Sequence, residues 1–232
     1  MTGSLVTPAL RSRIRGLATP VAVALGRLGL TPNALTVIGF LGTCVAAVAA
    51  SQQAWLAAGL LVLLFGIFDL FDGTLARATG KVTTFGAFLD STLDRAGEAV
   101  VYIGIAGGAL AGGFDTGAVL AALAMAAAFL VSYVRAKAES LGYAPGSGLA
   151  AIGLAPREVR LTILTIGLIG LSVAGGLGGT PCVDGACVHA FGEGVSTTGD
   201  PILGITLGLI AVLATLTVIQ RILHVRAQAK EG

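Results

Sequence analysis

Long uncharged stretches dominate this sequence of 232 residues. Five of them contain no Asp, Glu, Lys or Arg, at residues 28–68, 99–114, 116–134, 161–183 and 201–220. A helix needs about 20 apolar residues to cross a bilayer, and the first stretch can supply two such helices, separated at Ser51-Gln52-Gln53. Only 11% of the residues are charged, whereas a soluble domain has about 25%. The chain is therefore predicted to be a membrane protein.

Six transmembrane helices are predicted, at about residues 34–50, 54–78, 85–111, 116–141, 157–178 and 200–225. Turn-prone residues separate these helices, and the abundant Gly and Ala suit close helix packing inside a bilayer. We expect an all-α, polytopic membrane protein in which residues 1–232 form one domain and residues 34–225 form its six-helix bundle. The net charge of +2 excludes a nucleic-acid binder that works by gross charge.

The basic residues predict the orientation of the bundle. They lie near both termini and around the second and fourth connections, whereas the other three connections contain no Lys or Arg. Because Lys and Arg are retained in the cytoplasm, we expect a multi-pass protein of the plasma (inner) membrane with both termini cytoplasmic. Residues 8–25 mix Arg11, Arg13 and Arg15 with apolar side chains, which favours an interfacial amphipathic helix. A plain cytosolic tail is the alternative.

Three cysteines are too few for a disulfide scaffold. Cys44 is expected to be a small packing residue of the first span. Cys182 and Cys187 fall in the predicted external loop, where a local disulfide can form if that compartment is oxidising.

Four of the seven aspartates lie next to the short connection between predicted helices 2 and 3. Asp69 and Asp72 are spaced i, i+3 and Asp90 and Asp94 are spaced i, i+4, so each pair shares one helix face. A short turn around Gly80 would bring both pairs together at the cytoplasmic surface, where acids beside apolar spans indicate function. Oxygen ligands without His or Cys favour Mg²⁺, Mn²⁺ or Ca²⁺ over zinc. Two such ions, bridged by carboxylates, would suit chemistry on a phosphate.

Acids of this kind also occur in other types of site. The segment Asp-Leu-Phe-Asp-Gly lacks the alternating ligands of a 12-residue EF-hand loop. A transporter can use buried acids as a proton relay or ion site, and a structural cluster with Arg77 and Arg95 is a further alternative. Glu98, one turn beyond Asp94, either joins the site or pairs with a neighbour.

The acids belong to a longer motif. Its eight positions, all with the expected spacing over 26 residues, are Asp69, Asp72, Gly73, Ala76, Arg77, Gly86, Asp90 and Asp94. This pattern resembles the signature of the CDP-alcohol phosphatidyltransferase family. The resemblance implies a homodimeric six-helix enzyme of phospholipid biosynthesis that transfers the phosphatidyl group of CDP-diacylglycerol to an alcohol and releases CMP. It also implies that the four aspartates bind two Mg²⁺ or Mn²⁺ ions and that Asp94 acts as general base.

The same resemblance implies contacts with the CDP-lipid. Gly73 lets the nucleotide approach the backbone because it has no Cβ, Arg77 can hold phosphate with its fork of donors, and Thr83 matches a nucleotide-contacting position. The segment formed by Thr31, Pro32, Asn33 and Ala34 resembles the family segment that closes over the CDP group. An ordinary helix start explains the segment equally well.

Basic residues at the cytoplasmic ends of predicted helices 4, 5 and 6 favour an acceptor that itself carries a phosphate. Ordinary flanking of membrane spans is the alternative. The segments 132–139, 157–161 and 220–221 resemble the actinobacterial-type phosphatidylinositol phosphate synthases of the family, which implies inositol phosphate as acceptor. The implied contacts are Ser132, Arg135, Lys137, Arg157, Arg160 and Arg221. The alternatives are a phosphatidylglycerophosphate synthase that uses glycerol 3-phosphate and, outside the enzymes, a cation transporter.

Overall fold

The computed structural model describes residues 19–143, 153–177, 182–183, 186–187 and 199–231. Helix α1 covers residues 19–27, and six longer helices follow: α2 (Pro32–Ser51), α3 (Trp55–Ala78), α4 (Thr84–Ala111), α5 (Asp115–Ser140), α6 (Arg157–Val173) and α7 (Gly199–Glu231). Between α6 and α7, the strands β1 (Cys182–Val183) and β2 (Ala186–Cys187) pair antiparallel. The prediction of an all-α fold is confirmed apart from this hairpin of two-residue strands.

The six long helices occupy the predicted positions, with two shifted ends. Helix α6 ends at Val173 rather than near residue 178, because Gly175 and Gly176 adopt φ values of +92° and +84°, a left-handed conformation that ends helices. Helix α7 continues to Glu231, beyond the predicted end at residue 225. The polar and charged residues in its last turns do not end the helix, because Arg, Lys and Gln are good helix formers.

Within the described residues, four helices are long and apolar enough to cross a membrane, namely α2, α3, α5 and the segment Gly199–Lys230 of α7. Helix α4 has 28 residues but carries Asp90, Asp94, Arg95 and Glu98. Helix α6 has 17 residues, a length of about 26 Å at the usual rise of 1.5 Å per residue. These four helices support the predicted multi-pass membrane architecture. Helix α4 differs from them by its charged residues, and helix α6 differs from them by its shorter length.

Helix contacts close the bundle into a ring with the order α2–α3–α6–α7–α5–α4. The apolar core includes Tyr102 and Ile105 of α4, Leu168 of α6 and Leu207 of α7, each at most 1% exposed. Large apolar side chains also cover the outer surface of the helices, as expected for helices surrounded by lipid.

Helices α2 and α4 touch through their backbones. A Cβ atom added to Gly104 or Gly108 would lie 2.2 Å from the carbonyl oxygen of Ala47 or Ala50, respectively. Only glycine fits such a close approach, and this use of small residues is typical of helix packing in membranes.

The N-terminal and external predictions fall partly outside the described residues. Of the proposed interfacial helix at 8–25, residues 8–18 lie outside them, and residues 19–27 form α1. Helix α1 packs on α2 and α3 through a small cluster made of Ala22, Leu35 and Leu75. Cys182 and Cys187 are opposite each other in the hairpin, but their side chains lie outside the described part of the structure. Cys44 is a half-buried free cysteine of α2.

Candidate active site

The two aspartate pairs meet where the C-terminal part of α3 faces the N-terminal part of α4. Asp72 is buried, with 6% of its surface exposed, and the side chains of Asp69 and Asp94 are each 18% exposed. Asp69 and Asp90 interact electrostatically with each other and with both remaining aspartates. The structure therefore brings together all four acids of the motif.

Arg157, the first residue of α6, joins the two acid pairs. Its Nη2 donates to Asp69 Oδ2 at 2.7 Å, and its Nη1 lies 2.8 Å from Asp94 Oδ1. The remaining oxygen of Asp94, Oδ2, lies 3.3 Å from Arg95 Nη1. A guanidinium from a third helix thus bridges acids of α3 and α4, which reduces the repulsion between the carboxylates.

Asp72 is oriented by a different helix. The hydroxyl of Thr36 on α2 donates to Asp72 Oδ2 at 2.7 Å, and the backbone N–H of Gly73 donates to the other carboxylate oxygen. Thr36 was not identified from the sequence. The available signal was a pair of hydroxyl side chains, Thr36 and Thr43, seven residues apart on one face of an otherwise apolar helix.

Gly39 of α2 lets Asp69 reach the centre of the site. A Cβ atom at this position would lie 2.8 Å from Asp69 Oδ1, so a larger residue would push the carboxylate away. A small cleft opens beside it, and its lining residues are Thr36, Phe40, Thr43, Asp69, Leu93, Asp94, Gly97 and Arg157.

The segment predicted to close over CDP starts α2. The Thr31 hydroxyl accepts a hydrogen bond from the Ala34 N–H at 3.2 Å, and Pro32 occupies the first helical position. Both features are typical of helix N-termini. The segment is therefore the start of a helix. It also lies near the acids, because Thr36, which follows one turn later, donates to Asp72.

Asn33 and Thr83 lie close together although they belong to different helices. Thr83 caps α4 by accepting a hydrogen bond from the Gly86 N–H at 3.0 Å. A Cβ atom at Gly86 would lie 3.1 Å from Asn33 Oδ1 and 3.0 Å from Thr83 Oγ1. The starts of α2 and α4 are thus neighbours, and Gly86 keeps the space between their polar side chains open.

Arg77 and Gly73 are also adjacent. The guanidinium of Arg77 lies over Gly73, with Nη1 3.3 Å from the position that a Cβ atom would take, and Nη2 lies 3.5 Å from the Thr74 hydroxyl. Arg77 is exposed, so its guanidinium is accessible to an anion.

Arg160, one turn after Arg157, is in a different environment. It is only 1% exposed, and its Nε and Nη2 each lie 2.7 Å from a carboxylate oxygen of Glu98. Its Nη1 donates to the Ala155 carbonyl at 2.9 Å. Of the two predicted roles of Glu98, the structure shows the second: Glu98 forms an ion pair with Arg160 and does not join the aspartate cluster.

The other candidates for acceptor binding lie on α5 and α7. Arg221 is buried and donates to the Val131 carbonyl at 2.6 Å, and it lies within electrostatic range of Arg135 and Arg160. Arg135 forms an exposed ion pair with Glu139 at 2.9 Å. Ser132 is half-buried and Lys137 is exposed. Arg221 of α7 thus lies between Arg135 of α5 and Arg160 of α6, in electrostatic range of both.

The donor set of the four acids fits a hard divalent cation, because it consists only of carboxylate oxygens with a hydroxyl nearby. Among the described residues, no group of three or more His, Cys, Asp or Glu side chains converges in a metal-binding arrangement. The guanidinium of Arg157 instead lies between Asp69 and Asp94. The chemistry of the site thus suits a metal, while two of its carboxylates are held by a positively charged side chain.

Comparison with known proteins identifies the family. The CDP-alcohol phosphatidyltransferase model matches residues 29–189. The chain belongs to this family. An archaetidylinositol phosphate synthase of Pyrococcus horikoshii is 40% identical over 68% of the chain and 79% of that protein. A phosphatidylinositol phosphate synthase of Streptomyces avermitilis is 34% identical over 92% of the chain and 80% of that protein.

A solved relative extends the similarity to the fold. The phosphatidylinositol phosphate synthase of Mycobacterium tuberculosis with CDP-DAG bound has a TM-score of 0.71 at 27% identity, over 90% of this chain and 92% of that one. The same enzyme has also been solved in complex with manganese and citrate.

As a CDP-alcohol phosphatidyltransferase, the protein is an enzyme of phospholipid biosynthesis, and the interpretation as a cation transporter is set aside. The family match includes the four aspartates together with Arg157 and Arg160, whereas Arg221 lies beyond it. The acids are therefore in the part of the chain that defines the family.

Proposed function

We propose that this enzyme transfers the phosphatidyl group of CDP-diacylglycerol to a hydroxyl of inositol phosphate, giving phosphatidylinositol phosphate and CMP. The observation that carries the proposal is the bridge of Arg157 between Asp69 and Asp94. It puts a guanidinium, a group whose geometry suits phosphate binding, directly beside the acids of the family motif. The names of the relatives support inositol phosphate as the acceptor.

Asp69, Asp72, Asp90 and Asp94 would hold two divalent ions, Mg²⁺ or Mn²⁺, and the manganese-bound relative supports this assignment. Bound ions would stabilise negative charge on the pyrophosphate. Thr36 holds Asp72 in its orientation through the 2.7 Å hydrogen bond. A ligand fixed in this way by a second residue is a usual feature of metal sites.

Asp94 is assigned as the general base. It accepts the proton of the acceptor hydroxyl while the oxygen of that hydroxyl bonds to the lipid phosphorus. The bond from this phosphorus to the bridging oxygen breaks, and CMP leaves with the bonding electron pair. Asp94 lines the cleft together with Arg157, so the proton acceptor and a phosphate-binding group lie on the same opening.

The nucleotide and the acceptor are assigned to opposite sides of the acids. Thr31, Pro32, Asn33, Ala34, Gly73, Arg77 and Thr83 would contact the CDP-lipid at the starts of α2 and α4 and the end of α3. Ser132, Arg135, Lys137, Arg157 and Arg221 would surround the acceptor phosphate. For Arg160 we propose a positioning role, because Glu98 and the Ala155 carbonyl already engage its guanidinium.

The enzyme is further proposed to be a homodimer in the plasma membrane, with six spans and a single domain over residues 1–232. Both termini and the active site would face the cytoplasm, and residues 8–25 would lie along the membrane surface. The four described helices that are long and apolar enough to cross a membrane support a multi-pass topology. The segregated basic residues support the orientation.

An acceptor screen tests the proposed function. Purified protein is incubated with CDP-diacylglycerol, Mg²⁺ or Mn²⁺, and one of four acceptors: inositol phosphate, glycerol 3-phosphate, free inositol or serine. We expect CMP release and a new phospholipid with inositol phosphate. Turnover with glycerol 3-phosphate alone would make the enzyme a phosphatidylglycerophosphate synthase, and activity confined to unphosphorylated alcohols would refute the assignment of the basic residues.

A further inference from the structure

Arg157 holds one oxygen of each of two acids from the family motif. Its two terminal nitrogens contact Asp69 Oδ2 and Asp94 Oδ1. The other oxygen of Asp94 faces Arg95, and the other oxygen of Asp69 faces Gly39 on α2. A cation that bridged Asp69 and Asp94 on the side facing Arg157 would therefore compete with the guanidinium for these two oxygens.

The present position leaves Arg157 incompletely bonded. Its Nε is buried and has no hydrogen-bond partner within the described residues. A buried donor without a partner is destabilising, so a position in which this nitrogen also reaches an acceptor oxygen would be favoured once the carboxylates are released. A phosphate group can accept several hydrogen bonds from one guanidinium.

The backbone around Arg157 is held in place independently. One turn along α6, Arg160 makes its two hydrogen bonds to Glu98 of α4. Just before α6, the N–H groups of Leu154 and Ala155 both donate to the Thr217 hydroxyl of α7 at 3.0 Å. The start of α6 is thus anchored to two other helices, and the part that is free to change position is the side chain of Arg157.

We infer that Arg157 takes the place of the divalent cation between Asp69 and Asp94, and that binding of the cation releases it to the phosphate of the acceptor. The inference rests on the proposed metal site and deepens it. A positively charged side chain neutralises the acids before the metal arrives, and the metal then frees the same side chain for substrate. Metal and phosphorylated acceptor would consequently bind with positive coupling, and the acceptor would bind more weakly to the metal-free protein.

The first test asks whether removing the Arg157 guanidinium raises or lowers the affinity for Mn²⁺. Mn²⁺ binding to purified protein in detergent, without lipid substrate, is measured by titration calorimetry for the wild type, Arg157→Gln and Arg95→Gln. We expect Arg157→Gln to bind Mn²⁺ at least about fivefold more tightly, a factor at the lower end of typical site coupling. Arg95→Gln, which removes a charge beside the same Asp94, controls for charge alone and should give a smaller increase.

The second test measures coupling with inositol phosphate as the probe. In the wild type, Mn²⁺ should raise the affinity for inositol phosphate by about fivefold or more, and inositol phosphate should raise the affinity for Mn²⁺ by the same factor. Arg157→Gln should lose most of this coupling, whereas Arg95→Gln should keep it. Arg157→Lys keeps the charge without the fork of donors and should lose coupling as well.

The outcomes separate the inference from the proposed function. If Asp90→Asn leaves Mn²⁺ binding of the wild type unchanged, the proposed metal site is wrong. If Mn²⁺ binding depends on Asp90 but Arg157→Gln binds Mn²⁺ no more tightly than Arg95→Gln, the metal site stands and the inference fails. Coupling that persists in Arg157→Gln would also overturn the inference, because the acceptor would then contact the metal without help from Arg157.

Discussion

Two arginines on one face of α6 have different environments. Arg160 is 1% exposed and makes hydrogen bonds through three nitrogens, two of them to the single carboxylate of Glu98. The side chain of Arg157 is 25% exposed, and it divides its bonds between acids of two helices while its Nε has no partner among the described residues. Both arginines contact carboxylates at about the same distances. Arg160, however, is buried and makes hydrogen bonds with all three of its nitrogens, whereas Arg157 is partly exposed and leaves its Nε without a partner among the described residues.

The difference separates arginine–carboxylate contacts that stabilise the fold from those that serve the active site. A buried pair with all its bonds made is costly to break, because the remaining partner is left as an unpaired charge. A partly open cluster with several acids and an unused donor is less costly to rearrange, and it can exchange one cation for another. Removing an acid should therefore affect stability at Glu98 and catalysis at the aspartates.

The largest effect is expected for Asp94→Asn. Loss of the proposed base should lower turnover by about 100- to 10,000-fold, the usual contribution of general acid–base catalysis, and should leave the unfolding temperature close to that of the wild type. CMP release and thermal unfolding in detergent measure the two quantities. Asp115→Asn, at the exposed start of α5, is the matched control and should retain activity. Normal turnover in Asp94→Asn would remove Asp94 from the mechanism.

Glu98→Ala should affect the fold instead. It leaves the guanidinium of Arg160 buried without its carboxylate, and breaking such a pair typically lowers the free energy of unfolding by about 3–5 kcal/mol. Replacing both residues, with Glu98→Leu and Arg160→Met, should recover most of this loss because no buried charge remains. Denaturant unfolding of the detergent-solubilised variants measures it. Wild-type stability in Glu98→Ala would contradict the structural role of the pair.

Gly39→Ala should have an intermediate effect on turnover. The new methyl group would meet Asp69 Oδ1 at 2.8 Å and displace the carboxylate. Small displacements of catalytic groups lower rates by up to about 100-fold. Gly208→Ala on α7, where nothing lies within 4 Å of the added atom, is the control and should be neutral or more stable by up to about 1 kcal/mol. Equal turnover in both variants would show that Asp69 needs no space at Gly39.

The smallest effect is expected at the exposed pair of Arg135 and Glu139. Glu139→Gln removes an ion pair with i, i+4 spacing whose partners are both more than 40% exposed. Such pairs contribute about 0.3–0.5 kcal/mol to stability, so the unfolding free energy should change by no more than that amount. A loss comparable with that of Glu98→Ala would mean that exposure does not separate the two kinds of contact.

Most of the fold was predictable because a helix can cross a membrane only where a segment of sufficient length contains few charged residues. The runs without charge indicated the long helices, although α4 also carries Asp90, Asp94, Arg95 and Glu98. The motif from Asp69 to Asp94 indicated the acid site because its spacing puts each pair on one helix face. The differences at helix ends depend on single residues. The left-handed conformation of Gly175 and Gly176 ends α6 early, and the sequence contains many glycines that do not end helices.

The pairing within the site was not predictable in the same way. Arg157 and Asp69 are 88 residues apart, and Arg160 and Glu98 are 62 apart, so their contacts depend on how the folded bundle brings distant segments together. The sequence predicts the same role for Arg157 and Arg160, because both are basic residues at a cytoplasmic helix end and both lie in a segment that resembles the phosphatidylinositol phosphate synthases. Only the folded structure shows that Arg157 faces the aspartates, whereas Arg160 faces a buried glutamate of α4, a helix that does not neighbour α6 in the ring.

The backbone contact between α2 and α4 has a consequence for an enzyme whose product becomes part of its own surroundings. Side-chain contacts between helices can adapt to lateral pressure by changing rotamers, but the approach of Gly104 and Gly108 to the carbonyls of Ala47 and Ala50 contains no side chain that could adapt. This contact resists a change in the distance between the two helices, and we expect that distance to depend little on bilayer thickness and composition. Thr36 of α2 and Asp94 of α4 should then stay in register while the lipid composition around the enzyme changes.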